Sequence, residues 1–396
     1  MALRFCCESA AVKSMIYVIT LTTVAGFVGY LVCSEGAQIR FSIIFNGGET
    51  VCGMHVYMLK WERGLWTLAG VYFEQIPTGL IFYAKVPRMA AKVLRPMLVN
   101  ATREVPLSYH HITRLSLGAT PALLTLDDDK ADAILEAVRM LFYGKHISPF
   151  KNGTADILNS TDRAFYLWVT ISFLLNETFT RSNAAALELG EETLQLAFVS
   201  TEPESGPSLK AYPVLDQRVN IYARTYSSLG LEAATRIILK QDEHGYQSPC
   251  VVPQFPFLSK YPSLLTYETS ITNYTECYKN CQDFVKKYKV TVARDLDKRD
   301  IFATSYFYEL ARQAGMISKD AVQGKFNLTS IEEYAKEACR VPIDKKDRLC
   351  FDLTYLYALL RDGFTLPINK TIQITKEING QEVDWTLGMA LSQLYQ

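Results

Sequence analysis

FSIIFNGGETVCGMHVYMLKW, Phe41 to Trp61, is the stretch on which the reading of this chain turns. Phe41–Phe45 is a short apolar run with the length of a buried strand. Asn46-Gly47-Gly48 is a turn in which the backbone can take positive φ and approach a ligand closely. Val51–Trp61 resumes as a second strand, rich in β-branched and aromatic residues. Strand, glycine turn and strand form a hairpin whose turn amides can converge on an anion. Taken alone, an ordinary hairpin is the simpler account.

The theme returns. Ala185–Val199 (AALELGEETLQLAFV) is again strand, glycine turn and strand, about one small domain further along. The repetition predicts two related lobes whose hairpins face each other across a cleft. Around them, residues 64–83 read as strand with a turn at Pro77-Thr78-Gly79, and Leu115–Ala119 as a strand running into Thr120-Pro121. Asn152–Asn159 reads as a glycine-bearing turn leading into a strand, 201–208 as a loop, 249–262 as irregular, and Ile372–Ile378 as a late strand. Helical spacing runs through Met89–Val99, Asp129–Tyr143, Asp162–Leu175, Gly230–Leu239, Glu276–Tyr288, Ile301–Gly315, Ile331–Cys339, Phe351–Leu360 and Trp385–Leu394. Strands alternating with helices give an α/β class.

A chain of 396 residues is long enough for two domains. Lys+Arg and Asp+Glu are both 41, which excludes a bulk electrostatic role on nucleic acid. Met15–Val32 (MIYVITLTTVAGFVGYLV) is an uncharged apolar run just long enough to span a bilayer, preceded by Arg4 and Lys13. The basic flank favours an uncleaved type II signal anchor with a cytoplasmic N-terminus. The small residues Cys33, Ser34, Gly36 and Ala37 also suit signal cleavage and secretion. The rest of the chain is then expected on one non-cytosolic side, at the ER or Golgi lumen or the cell surface. N-x-[ST] sequons at Asn100, Asn152, Asn159, Asn176, Asn273, Asn327 and Asn369 agree with a glycosylated luminal surface. Beyond the apolar run stand Cys33, Cys52, Cys250, Cys277, Cys281, Cys339 and Cys350, at spacings that match no zinc site and in a compartment that favours disulfides. Cys339 and Cys350 close a short loop; Cys250 pairs with Cys277 or Cys281; the odd count leaves at least one thiol over.

Several stretches together resemble the apyrase, or nucleoside triphosphate diphosphohydrolase, family, nearest its soluble nucleoside-diphosphatase branch. They are CFDLTYLYALLRDGF (Cys350–Phe364), DWTLGMAL (Asp384–Leu391), YLWVTISFLL (Tyr166–Leu175), LELGEETLQLAF (Leu187–Phe198) and NYTECY (Asn273–Tyr278). Their order and spacing carry the resemblance from about residue 40 to the end. It implies a two-lobed actin and sugar-kinase-like (ribonuclease H-like) fold with a central cleft that takes a nucleoside di- or triphosphate. It also implies Ca2+ or Mg2+, a carboxylate general base, and disulfides Cys250–Cys277 and Cys339–Cys350. The expected division is a cytoplasmic 1–14, an anchor at 15–32, an N-terminal lobe at 33–165 to which a closing helix 383–396 returns, and a C-terminal lobe at 166–382.

The chain departs from the family pattern where the chemistry lies. In the first phosphate turn the family aspartate is Asn46; Gly48 and Thr50 match, Glu49 intervenes, and Cys52 and Gly53 replace a threonine and an arginine. The second motif reads Ala119-Thr120-Pro121-Ala122-Leu123-Leu124, keeping Thr120 without the glycine and arginine. The general-base glutamate, five residues before Trp168, is Arg163, which cannot accept a proton from water; Asp162 beside it points elsewhere on a helix start. In the fourth motif Gly190 and Gln195 match, Glu188 and Thr193 are near substitutes, and Glu191 replaces a glycine. Phosphate-binding candidates are therefore Gly48, Thr50, Thr120, Gly190, Thr193 and Gln195, with Asn46 and Glu188 at the metal positions. The residue chemistry favours a pseudo-enzyme that keeps the fold to bind a protein partner or regulate. The competing expectation is a working diphosphatase, converting UDP or GDP to the monophosphate, with Asp162, Glu49 or Glu191 as base. A third is a nucleotide sensor in which Arg163 binds phosphate without hydrolysis. Plain structural accounts suffice for His55 beside Tyr57, His110-His111 on a surface loop, Tyr306-Phe307-Tyr308 in a core, Trp168 and Trp385 as core anchors, and Asp127-Asp128-Asp129 at a helix start.

Overall fold

The computed structural model describes residues 38–144, 148–200, 208–240, 248–251, 272–288, 290, 295–340 and 348–394. The expected anchor, Cys33, the loop at 201–207 and most of 249–262 lie outside them. Among the described residues no helix is long and apolar enough to cross a membrane. The chain divides into two compact units, Met1–Asn159 with Met389–Gln396, and Ser160–Gly388.

The first unit is built on a sheet of five strands: β1 (Gln38–Gly47), β2 (Cys52–Glu62), β3 (Leu65–Ile76), β4 (Arg114–Ala119) and β5 (Lys151–Ile157), in the order β3-β2-β1-β4-β5. β1, β2 and β3 are antiparallel, while β4 and β5 run parallel to β1. The opening hairpin is present, but its turn sits later than the residues suggest. Asn46 and Gly47 still pair with Gly53 and Cys52. Gly47 is needed for close packing: a Cβ there would lie 2.5 Å from Leu80 Cδ1 and 3.2 Å from Ala119 Cα. Gly153 corrects the expected turn in the same way. It lies within β5, where a Cβ would stand 2.6 Å from Phe142 Cβ. Helices α1 (Arg88–Glu104) and α2 (Asp128–Tyr143) bury Leu94, Leu98 and Ala101, and Ile134, Val138 and Leu141, at helical spacing. These stripes join Ile43, Phe45, Leu115 and Leu117 of the sheet in one core.

The second unit holds seven strands: β6 (Ala184–Leu189), β7 (Thr193–Val199), β8 (Leu209–Val214), β9 (Gln217–Ser227), β10 (Asp300–Ser305), β11 (Gln323–Asn327) and β12 (Thr371–Thr375). Their order is β11-β12-β10-β6-β7-β9-β8. The inner run β9-β7-β6-β10-β12 repeats the order and pairing senses of the first sheet. β8 and β11 are additions at the two edges. The helices of this unit are α3 (Ser160–Leu174), α4 (Leu231–Lys240), α5 (Tyr274–Lys287), α6 (Tyr306–Gln313), α7 (Leu328–Arg340) and α8 (Leu349–Ala358), with the first half of α9 (Trp385–Ser392), whose residues from Met389 on belong to the first unit. The expected helix over 301–315 is thus a strand followed by a shorter helix. Ile301, Phe302 and Ala303 pair with both β6 and β12 and are buried. A strand covered on both faces shows no alternation, so its spacing resembles a buried helix.

The disulfides are Cys250–Cys277 and Cys339–Cys350. Cys52 and Cys281 are buried free thiols. Asn273 caps α5, its Oδ1 accepting from the N–H groups of Thr275 and Glu276 at 2.9 and 3.3 Å.

Asp352 on α8 is 5% exposed and accepts from Arg348 at 3.2 Å, while Arg348 also donates to both oxygens of Glu232 at 3.0 Å. Burial pushes the Asp352 carboxyl up to about 6, with Arg348 opposing the shift. A raised carboxyl favours the folded state most below the unfolded value near 4, and that contribution fades as pH rises toward 6. Asp352→Asn should therefore gain stability relative to the parent chain between pH 4 and 6. Urea unfolding at each pH tests this, and a difference that stays flat across the window refutes it.

Candidate functional site

In the first unit the phosphate-turn candidates gather at the ends of β1 and β4. The N–H of Thr120 donates to the Gly47 carbonyl at 2.9 Å, and that of Leu80 to the Gly48 carbonyl at 3.3 Å. A Cβ at Gly79 would fall 1.6 Å from the Glu49 carbonyl oxygen, so the segment around Gly79 closes directly over the turn. Asn46 Oδ1 is buried and has no hydrogen-bond partner among the described residues. Thr50 is exposed. Asn46, Gly48 and Thr120 are thus neighbours through the β1–β4 pairing.

In the second unit Glu188, near the end of β6, is 7% exposed. Its Oε1 accepts from Arg163 Nη2 at 2.9 Å and from Ser305 Oγ at 3.1 Å, while its Oε2 is buried and has no partner among the described residues. Arg163 stands in the first turn of α3, and its guanidinium lies 6.0 Å from the Trp385 ring centroid. The Arg163 guanidinium therefore pairs with the Glu188 carboxylate. Gln195 faces Glu188 across β6–β7 and donates to Thr193 Oγ1 at 3.4 Å. The Gly190 turn is occupied by backbone bonds: Gly190 N–H donates to the Thr193 carbonyl at 2.9 Å. Its own carbonyl and that of Glu191 accept from Leu231, Glu232 and Ala233 at the start of α4. Asp162 is drawn aside. It accepts from Tyr212 Oη at 3.0 Å and lies 3.7 Å from Lys210 Nζ.

Ser305 escaped the sequence reading because its strand was read as helix. It stands at φ 58°, ψ −124°. Such a conformation costs a non-glycine residue about 1–3 kcal/mol and recurs at functional positions. The β-prone run Ile301–Thr304 before a new apolar helix was the available signal. Of the other residues given plain accounts, His55 stacks on Tyr57, His110 lies in a short 3-10 helix, and Trp168 is buried with its Nε1 donating to the Ala184 carbonyl.

The residues present do not fit a divalent cation at Glu188. The Glu188 charge is already paired. A doubly charged ion about 5 Å from a guanidinium would be repelled by roughly 7 kcal/mol at an effective dielectric of about 20. Among the described residues, the one group of cysteine, histidine or carboxylate ligands close enough to share an ion is Cys250, Cys277 and Cys281. Two of these are consumed in a disulfide.

The profile of the GDA1/CD39 (nucleoside phosphatase) family matches residues 32–396. The chain is 26% identical to the nucleoside-diphosphatase uda-1 of Caenorhabditis elegans, over 89% of this chain and 81% of that protein. It is 28% identical to ectonucleoside triphosphate diphosphohydrolase 6 of Rattus norvegicus, over 90% of this chain and 82% of that one. Its fold is similar to a crystal structure of nucleoside triphosphate hydrolases from Neospora caninum, with a TM-score of 0.63, 10% identity and 97% of both chains covered. With a matching profile that spans nearly its whole length, this chain belongs to the GDA1/CD39 (nucleoside phosphatase) family.

Proposed function

We propose that this protein is a divergent member of its family that keeps the nucleoside-phosphatase architecture while hydrolysis of nucleoside phosphates is lost or strongly reduced. It serves instead as a luminal glycoprotein that binds or regulates. The observation that carries this is the Arg163–Glu188 pair at 2.9 Å. One substitution removes the base and also discharges the carboxylate that would serve a cation. General-base assistance is worth about 10²–10⁴-fold, and a guanidinium supplies none of it. Asp162, the substitute base, is held by Tyr212 and Lys210. Two disulfides and exposed sequon asparagines at Asn159, Asn176, Asn273 and Asn369 support a secretory-pathway setting.

Phosphate release from UDP, GDP, ADP and ATP with calcium or magnesium is the test. Purified protein should release no more than the protein-free blank. Arg163→Glu should bring back traces at most, because Glu191 still stands in the Gly190 turn and the arginines of the first two motifs stay absent. Robust turnover by the parent chain, abolished by Asp162→Ala, would establish the rearranged-site alternative instead.

A further inference from the structure

Within the second unit a cavity of about 160 Å³ opens beside Glu188. A single water needs about 10–15 Å³ by this measure, so the space admits a small molecule. Four carboxylates line it, Glu188, Glu309, Glu382 and Asp384, against one ammonium, Lys376; Arg163 already pairs with Glu188, so three carboxylates are left against the Lys376 charge. Three lining side chains are more than nine-tenths buried and lack a needed bond among the described residues, the Trp385 indole N–H being one. Glu188 Oε2 and Thr304 Oγ1 have no partner, with the residues 7% and 3% exposed. Buried acceptors left unpaired cost about 1–3 kcal/mol each, and both can accept from a bound N–H donor.

We propose that this cavity binds a small organic cation of the ammonium or guanidinium class. The lining charge excludes phosphate and other anions. A divalent metal is disfavoured because no three of these carboxylates bring oxygens within sharing distance, and because Arg163 already holds Glu188. Dispersed charges on a wall that includes the rings of Tyr308 and Trp385 suit an extended cation, whose N–H groups reach separate acceptors while its carbon stem lies on the aromatic faces. The Glu382 carboxyl is pushed up by loss of hydration and by the Asp384 charge, a crowding that a bound cation relieves. The proposal does not depend on the loss of hydrolysis, so phosphate release and cation binding succeed or fail separately.

Agmatine, which carries a guanidinium and an ammonium, is the probe. Titrated into the purified full-length chain at constant ionic strength, it should raise the melting temperature saturably. Glu382→Gln, at the exposed end of a short hairpin (Glu377–Ile378 paired with Gln381–Glu382), should fold normally and bind about tenfold more weakly, as expected for losing one charged hydrogen bond. Thr304→Val should also weaken the response. Calcium chloride at matched ionic strength should neither reproduce the shift nor compete with it. No saturable response in the parent chain, displacement by calcium, or undiminished binding in both variants would overturn the proposal.

Discussion

Arg163→Met is expected to cost about 3–5 kcal/mol of unfolding free energy, the range for removing one partner of a buried ion pair. The loss comes less from the missing bond than from what stays behind. Glu188 is 7% exposed and would retain only Ser305 as a donor on Oε1, with Oε2 still unpartnered. An uncompensated carboxylate in that setting must protonate or draw in water, and both oppose folding. The double variant Arg163→Met with Glu188→Leu removes both charges and should recover most of the loss, leaving a deficit of about 1 kcal/mol. Urea unfolding of the two single variants and the double variant closes the cycle. Additive losses would mean that the two side chains are not coupled, and the proposed discharge of Glu188 would fall with them.

Gly388→Ala should destabilise the chain more still, beyond about 4 kcal/mol, where single substitutions become exceptional. A Cβ at this position would stand 1.8 Å from the Tyr166 carbonyl oxygen and 2.6 Å from its carbon. These are backbone atoms of α3 and cannot rotate away. The contact is pinned from both sides: Gly388 N–H donates to Thr170 Oγ1 at 2.8 Å, and the same hydroxyl donates to the Asp384 carbonyl at 2.7 Å. An added methyl must therefore push α9 off α3 and break these bonds together. Gly64→Ala is the matched control. Gly64 has φ +83° with open space around it, so alanine there meets only backbone strain of about 1 kcal/mol. Near-equal melting temperatures for the two variants would show that the close approach is absent.

Much of this architecture was legible in the residues. The hairpins at Phe41–Trp61 and Ala185–Val199 were read as a repeated theme, and each is the centre of its own sheet. The spacing places α2 to within a residue, because a stripe at helical spacing reports its own element, whereas α1 runs five residues past the expected end. What failed was local and explicable. β10 carries the spacing of a helix because burial on both faces erases alternation, and Gly153 reads as a turn because a glycine chosen for close packing looks like one chosen for a bend. The hairpin β8–β9 and the edge strand β11 escaped notice; β8 and β11 show buried and exposed positions without a clean period.

By itself the sequence determined the α/β class and the family, and it set Arg163 five residues before Trp168. Each of these is written in order and spacing along the chain. Only the tertiary structure decided what that residue does: Arg163 meets Glu188 from 25 residues away, and Ser305 joins them from 117. The residues alone left Cys277 and Cys281 open as the partner of Cys250; the family resemblance implied Cys277, and the structure has that pair. Periodicity reports which face of an element is apolar. Which side chain ends beside which depends on strand order and helix placement, and these follow from packing whole sheets and helices into a common core.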